Sequence, residues 1–494
     1  MSSESLETGA PAGIPTRRLH PAGMLIGALR TIRRSLSAFV FPGVAIIVSQ
    51  GFTIRTIILI LFGALVVAVG AAIWGFLSWR ATTYEVSSGA FRLRQGVLQK
   101  NERTIPLGHV QSVDTVQGPI QRLFGVVEVR IETAGGGTDE PDASLAALDR
   151  AAASALRRAV EGSGRAPAAA DEGGPTVLRR LSTAQLLLAG ATSGQIGVAL
   201  SLLAVFSQVF DNVFSETLAR RLLDTLAPRS LTAVLLLVLL FGLVAWLLAI
   251  AGTVLTQAGF TLSRDGDFLY IKRGLLERRE ATIPLARIQA VRIVEGVLRQ
   301  PFGFATLRVE SAGYGADAGV STILFPLLPR SEAQKLLREA APGFAAQPAL
   351  ESLPNRALRR YVFRAVVPVV LVAGAAALLS VVSDPAVWGL LALLSLPAAA
   401  LYGWLCYRDA GWALEDDRLV VRSRRLARIT AIAPRPRLQS RGVVRSPFQR
   451  RVRLATFRAE VASGGGGTAL EVADLDAGAA QILVGDLGPK PRLG

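Results

Sequence analysis

Leu123-Phe-Gly-Val-Val-Glu-Val-Arg-Ile-Glu-Thr-Ala-Gly135 returns as Pro301-Phe-Gly-Phe-Ala-Thr-Leu-Arg-Val-Glu-Ser-Ala-Gly313, its second glutamate carried from 132 to 310, a shift of 178. The register holds upstream. Thr104-Ile-Pro-Leu107 matches Thr282-Ile-Pro-Leu285, and Val110-Gln-Ser-Val113 matches Ile288-Gln-Ala-Val291. A worn third copy keeps Pro434, Leu438-Gln-Ser440 and Leu454-Ala-Thr-Phe-Arg-Ala-Glu460, displaced by 150 from Pro284 and Glu310. Ordered matches at fixed offsets mark an internal repeat.

Each copy reads as strands. Phe91–Gly96 and Phe268–Gly274 alternate and end in a glycine turn. Val127–Thr133 and Thr306–Ser311 alternate and lead into glycine. A last strand (Ser144–Leu148, Ser321–Pro326, Ala469–Ala473) precedes a helix over Asp149–Val160, Ser331–Ala340 or Asp474–Val484. Ser331 and Glu332 read as a cap with a first-turn acid. Each unit is thus predicted as a small antiparallel sheet closed by a C-terminal helix.

Apolar runs of bilayer length, about 20 residues, separate the copies. Ile54–Trp79, Leu186–Phe206, Ser230–Val254, Val362–Val382 and Ala386–Tyr407 qualify, and Leu36–Gln50 pairs with the first. About six transmembrane helices in three hairpins result, Ser383-Asp-Pro385 forming the tightest turn. Phe210–Leu226, apolar every fourth residue, reads as an amphipathic helix on the membrane surface. Arginines at 17, 18, 30, 33 and 34, at 80, at 179 and 180, and at 356, 359 and 360 flank the hairpins on one side. The positive-inside bias places both termini and all three units in the cytoplasm. The predicted order is a basic N-terminus (1–35), hairpin 1 (36–80), unit 1 (81–162), linker (163–183), hairpin 2 (184–256), unit 2 (257–345), linker (346–360), hairpin 3 (361–407) and unit 3 (408–494).

A membrane hairpin followed by this IPL…IQ…FG…L-R-V-E strand set resembles the bacterial pleckstrin-homology-domain membrane proteins of the YdbS/YdbT type, over nearly the whole chain. The resemblance implies PH-like folds, each a strongly bent, barrel-like sheet plugged by one helix, in a bacterial inner or plasma membrane. It implies no particular chemistry.

The remaining sequence narrows function mainly by exclusion. A formal net charge of +17 carried almost wholly by arginine, amid much alanine and glycine, fits the codon bias of a GC-rich genome and does not indicate nucleic acid. With Cys406 as the only cysteine and His20 and His109 as the only histidines, neither a disulfide framework nor a metal centre is expected. No cofactor is expected either. Gly135–Gly137 and Gly464–Gly467 lack the lysine and hydroxyl of a phosphate loop. No nucleophile–base pair stands out, and Arg55 and Arg364 sit near helix ends where they can snorkel. Gln111, Gln289 and Gln439, and the Arg–x–Glu pairs ending at Glu132, Glu310 and Glu460, recur in every copy and read as scaffold.

One feature exceeds genome bias. Arg418–Arg458 contains no acid. Arg422, Arg424, Arg425, Arg428, Arg435, Arg437, Arg441, Arg445, Arg450, Arg451 and Arg453 are the candidate anionic-lipid contacts, worth about 1 kcal/mol each near a charged leaflet. The alternative is a solvated basic face. The expected function is a non-enzymatic membrane scaffold whose units bind anionic lipid, each other or a protein partner, in envelope maintenance. An accessory or regulator of membrane transport or export is the alternative.

Overall fold

The computed structural model describes residues 14–33, 35, 53–87, 89–133, 143–162, 175–193, 231–311, 323–379, 395–462 and 468–487. The first copy opens with β1 (Ile14–Arg18) and a helix α1 over 22–33, followed by α2 (Ile54–Ala81). Next come β2 (Thr83–Ser87), β3 (Ala90–Gln95), β4 (Asn101–Pro106), β5 (Val110–Gln117), α3 (Pro119–Leu123), β6 (Val126–Thr133), β7 (Ala143–Asp149) and α4 (Arg150–Gly162). The second copy repeats this order: β8 (Thr176–Arg180), α5 (Thr183–Ala191), α6 (Leu231–Gln257), β9 (Thr261–Asp265), β10 (Phe268–Arg273), β11 (Arg278–Pro284), β12 (Ile288–Glu295), β13 (Phe304–Ser311), β14 (Ile323–Pro329) and α7 (Arg330–Ala340). The third runs through β15 (Glu351–Ser352), α8 (Asn355–Leu379), α9 (Leu396–Asp409), β16 (Gly411–Glu415), β17 (Arg418–Arg424), β18 (Arg428–Pro434), β19 (Leu438–Val444), α10 (Pro447–Arg451), β20 (Leu454–Val461), β21 (Thr468–Asp476) and α11 (Ala477–Asp486).

The chain divides into two compact units, Met1–Pro284 and Leu285–Gly494. The first holds a four-stranded sheet, β1-β2-β3-β4, and a seven-stranded sheet, β7-β6-β5-β11-β10-β9-β8. The second holds β14-β13-β12-β18-β17-β16-β15 and a three-stranded sheet, β19-β20-β21. Every pairing is antiparallel, and each seven-stranded sheet joins strands of successive copies, through β5·β11 and through β12·β18.

Alternation puts one face of each strand inside. Phe91, Leu93, Val129, Ile131, Leu145 and Leu156 meet in one buried core, where α4 covers β2 to β7. Leu419, Val421, Phe457, Val461, Leu475 and Leu483 form the corresponding core of the third copy beneath α11. Antiparallel sheets plus helices are thus present as expected, and the details add to the sequence reading. The basic run ahead of the first hairpin forms β1 and α1. Short strands also precede the helices of the second and third copies (β8, β15), so the described helices α1 and α2, α5 and α6, and α8 and α9 each lie in sequence between two paired strands. These strands are too short to show alternation, β15 having only two residues and β1 and β8 ending in paired arginines. Helix α7 starts at Arg330 with Pro329 at its cap position, which puts Ser331 inside the first turn and not at the cap. Strand β21 continues to Asp476, so Asp474 lies in the sheet and Asp476 caps α11.

Among the described residues, two helical segments are long and apolar enough to cross a membrane: Ile54–Ala81 (mean hydropathy 2.8) and Leu239–Gln257 (2.3). Leu36–Gln50, the amphipathic stretch 210–226, the turn at Ser383–Pro385 and both glycine clusters lie outside the described residues. The helix pairs that are described close on small residues. A Cβ on Gly75 of α2 would meet the Met24 carbonyl of α1 at 2.5 Å, and one on Gly403 of α9 would meet Val362 Cα of α8 at 2.7 Å. The same repeat position in α6 is Thr253. There the glycine moves to the opposite helix, and Gly190 of α5 lies against Ile250 and Thr253.

Candidate anionic-headgroup site

The arginines of the third copy serve three different purposes. One group is internal. Arg428 grips buried Glu295 through Nε–Oε1 at 2.9 Å and a second guanidinium bond, with Asp409 at 3.5 Å. That bond to Glu295 raises the Arg428 pKa. Arg424 pairs with Asp409 and with Gln300 Oε1. Arg422 donates to Thr430 Oγ1 at 3.1 Å, and burial lowers its pKa. Arg424 and Arg428 tie the third copy to the second across the β12·β18 seam, while Arg422 ties β17 to β18. A second group is tied locally: Arg435 to Asp417 at 3.2 Å and Arg441 to the Leu487 carbonyl.

The third group converges. Arg445 directly follows β19, Arg450 lies in α10, and Arg453 directly precedes β20. With Arg356 at the start of α8 they line an open cleft of about 410 Å³, floored by Leu454 and the Asp476–Gly478 turn. Asp476 is the single acid, bonded to Arg356 and accepting from the Gly478 and Ala479 N–H groups. Its carboxyl is held below the usual range, first by the Gly478 N–H. Four guanidiniums against one carboxylate leave a surplus of positive charge in a concave site, the arrangement that attracts phosphate oxygens.

Comparison among the copies shows how this cleft arises. Where the third copy has Arg445, the first has Gln117 and the second Glu295. Gln117 accepts from Arg150 at 3.1 Å, and Glu295 pairs with Arg330 at 3.6 Å. Arg150 and Arg330 are the first residues of their closing helices, where α11 has Ala477. The third copy has therefore exchanged a side-chain donor–acceptor pair for a cation that donates only to the Ala477 carbonyl, at 3.3 Å. It also replaces Gly125 and Gly303, at φ +69° and +67°, with Arg453 at φ +52°. A left-handed backbone costs a side-chain-bearing residue about 1–2 kcal/mol. Strain of this kind collects at functional sites.

Apolar side chains flank the basic cleft. Phe448 of α10 is 68% exposed. The β-hairpin tips present Leu98, Leu276 and Leu426 at one repeat position, 88%, 54% and 72% exposed. In the second copy the tip is bound to the end of α6: Leu275 donates to the Leu255 carbonyl at 2.9 Å and Gly274 to that of Ala258 at 2.8 Å.

Of the residues singled out from sequence, Arg445, Arg450 and Arg453 are brought together, while Arg424 and Arg428 are consumed by the seam and Arg422 by Thr430 of the adjacent strand. Arg425 and Arg451 are exposed away from the cleft lining, and Arg437 is half-buried in the 435–437 turn. Arg356 was read only as a flanking charge. Its distance along the chain conceals its place in the cleft. Arg364 is not a free snorkelling cation, since it and Arg360 both hold buried Asp474, at 2.5 and 2.9 Å. The recurrent glutamates take part in sheet pairing, with Glu310 on Arg292 at 2.9 Å and Glu460 accepting from Ser440 at 2.9 Å.

A family model described as bacterial PH domain matches residues 36–163, 198–342 and 365–485. The chain is 32% identical over 478 residues to the UPF0699 transmembrane protein YdbT of Bacillus subtilis (strain 168), covering 93% of this chain and 95% of that protein. No solved structure matches.

Proposed function

This chain belongs to the bacterial PH domain family of YdbT-type membrane proteins, and on that premise we propose that it is a non-enzymatic integral membrane scaffold whose third PH-like domain holds anionic lipid headgroups. Three hairpins, about six helices in all, anchor the domains below the inner leaflet with both termini cytoplasmic, and the scaffold serves envelope maintenance. The cleft of Arg356, Arg445, Arg450 and Arg453 carries this reading, because four guanidiniums line it with Asp476 as the one carboxylate, and Arg445 lacks the side-chain partner that its counterparts Gln117 and Glu295 have. The exposed leucine tips support it by supplying apolar contact at headgroup depth beside the end of a candidate span.

The test uses the detergent-purified full chain, titrated with short-chain phosphatidylglycerol and phosphatidylcholine. Removing two cleft arginines, as in Arg450→Gln with Arg453→Gln, takes away about 2 kcal/mol of attraction, about a thirtyfold loss of affinity for the anionic lipid. Equal affinity of the unaltered protein for both lipids would refute the reading.

A further inference from the structure

The two inter-copy seams share one register. Gln117 pairs with Arg278 and Thr115 with Glu280 in the first; Glu295 pairs with Arg428 and Ile293 with Thr430 in the second. Shifting the first partner by 178 and the second by 150 converts one set into the other, so the seam itself is a repeated element. Each seam joins the fourth strand of one copy to the fifth strand of the copy before it. Three copies in a row make two such seams and leave one strand of each kind over. The leftovers are β4 and β19, and each ends its sheet among the described residues.

Their exposure agrees with a missing neighbour. Strand β12, paired on both sides, is buried at six of its eight positions, whereas β19 has no buried position. Strands β11 and β18 are buried at three and four positions, while β4 is buried only at Ile105. An open edge of this kind is a template for strand addition.

We propose that β19 of one molecule pairs antiparallel with β4 of a second copy of this chain, continuing the sheet from molecule to molecule. The shared register sets the pairs: Val444 opposite Asn101, Val443 opposite Glu102, Gly442 opposite Arg103 and Arg441 opposite Thr104. Glu102 then lies diagonal to Arg441 and Arg445 on the same face, a favourable charge arrangement. At the end of the seam Arg445 faces Lys100, where the second seam has the Glu295–Arg428 pair. The joint between molecules is therefore weaker than the internal seams and reversible. The two edges are different surfaces, so the contact is head-to-tail, giving a closed ring or an open row in the plane of the membrane. The inference rests on the scaffold reading, since it extends the same seam that builds the scaffold.

The experiment uses full-length chains with Cys406→Ala, reconstituted in mixed phosphatidylglycerol–phosphatidylcholine vesicles and oxidised. One chain carries Glu102→Cys and the other Val443→Cys. A disulfide-linked species of twice the chain mass is expected when the two are mixed, and not from either alone. Gly442→Cys, one residue out of register, is expected to cross-link poorly with Glu102→Cys. Absence of the mixed dimer would overturn the proposal. So would a chain bearing both Glu102→Cys and Val443→Cys that links only to itself, or a Glu102→Cys chain that captures a different protein in native membranes in place of its own kind. Ile293→Cys with Thr430→Cys in one chain is the separate check on the internal seam. If it links internally while the mixed dimer fails, the assembly alone is refuted; if it too fails, the scaffold reading goes with it.

Discussion

Arg453 shows how one residue can be placed against its own stability. A glycine stands at its position in both other copies, and its left-handed backbone suits glycine best. Arg453→Gly is expected to leave the fold intact or stabilise it by up to about 1 kcal/mol, while weakening binding of phosphatidylglycerol. Thermal unfolding and lipid titration on the same variant check both halves. Asp474 is the opposite case, a buried acid held by Arg360, Arg364 and Gln449. Removing one partner of a buried pair leaves uncompensated charge, so Asp474→Ala should cost about 3 kcal/mol, measured by denaturant unfolding of the full chain. Asp476 carries a pH dependence. Its folded-state pKa is depressed, so its contribution to stability is present above the ordinary carboxylate range, about pH 4, and disappears as pH falls through the lower folded value. Amide exchange at Gly478 should accelerate relative to its neighbours on acidification below that range, and Asp476→Asn should abolish the pH dependence.

At the scale of elements, hairpins and seams rest on different physics. Helices α8 and α9 approach closely because Gly403 has no side chain, and α1 and α2 do so at Gly75. Gly403→Leu forces backbones apart in a packed contact and should cost about 1–3 kcal/mol, seen as a lower unfolding temperature in detergent. The sheets were legible in outline. Alternation at Val127–Thr133 and Thr306–Ser311 identified β6 and β13, and the IPL motif marked the strands β4 and β11. What alternation could not reveal was the neighbour of each strand. Period-two patterning says which face is buried, while the edge-to-edge partner is chosen by backbone hydrogen bonding, which leaves almost no side-chain signature. The salt bridge from Glu295 to Arg428 marks that partner only in retrospect.

For the whole molecule, the repeat places the same surface features along one chain. Hairpin-tip leucines at one repeat position predict that all three tips meet the bilayer from the same side. A fluorescent label on a cysteine at position 98, 276 or 426, in a Cys406→Ala background, should shift to the blue in vesicles at every position. A tip that stays in water would break the single-sided layout. The cytoplasmic side is what arginine placement predicts, and impermeant thiol labelling of intact cells checks it at the same three positions.

The repeat, the long apolar runs and the basic character of the third copy were all determined by sequence alone, because each depends on local composition or on matches at constant offset. The choice among the arginines depended on tertiary structure. Arg424 and Arg428 look like Arg450 and Arg453 along the chain, yet the first pair meets acids from elsewhere in its unit and the second meets a cleft. Neutralisation is a matter of distance in space, and partners as far apart along the chain as Arg428 and Glu295 decide it.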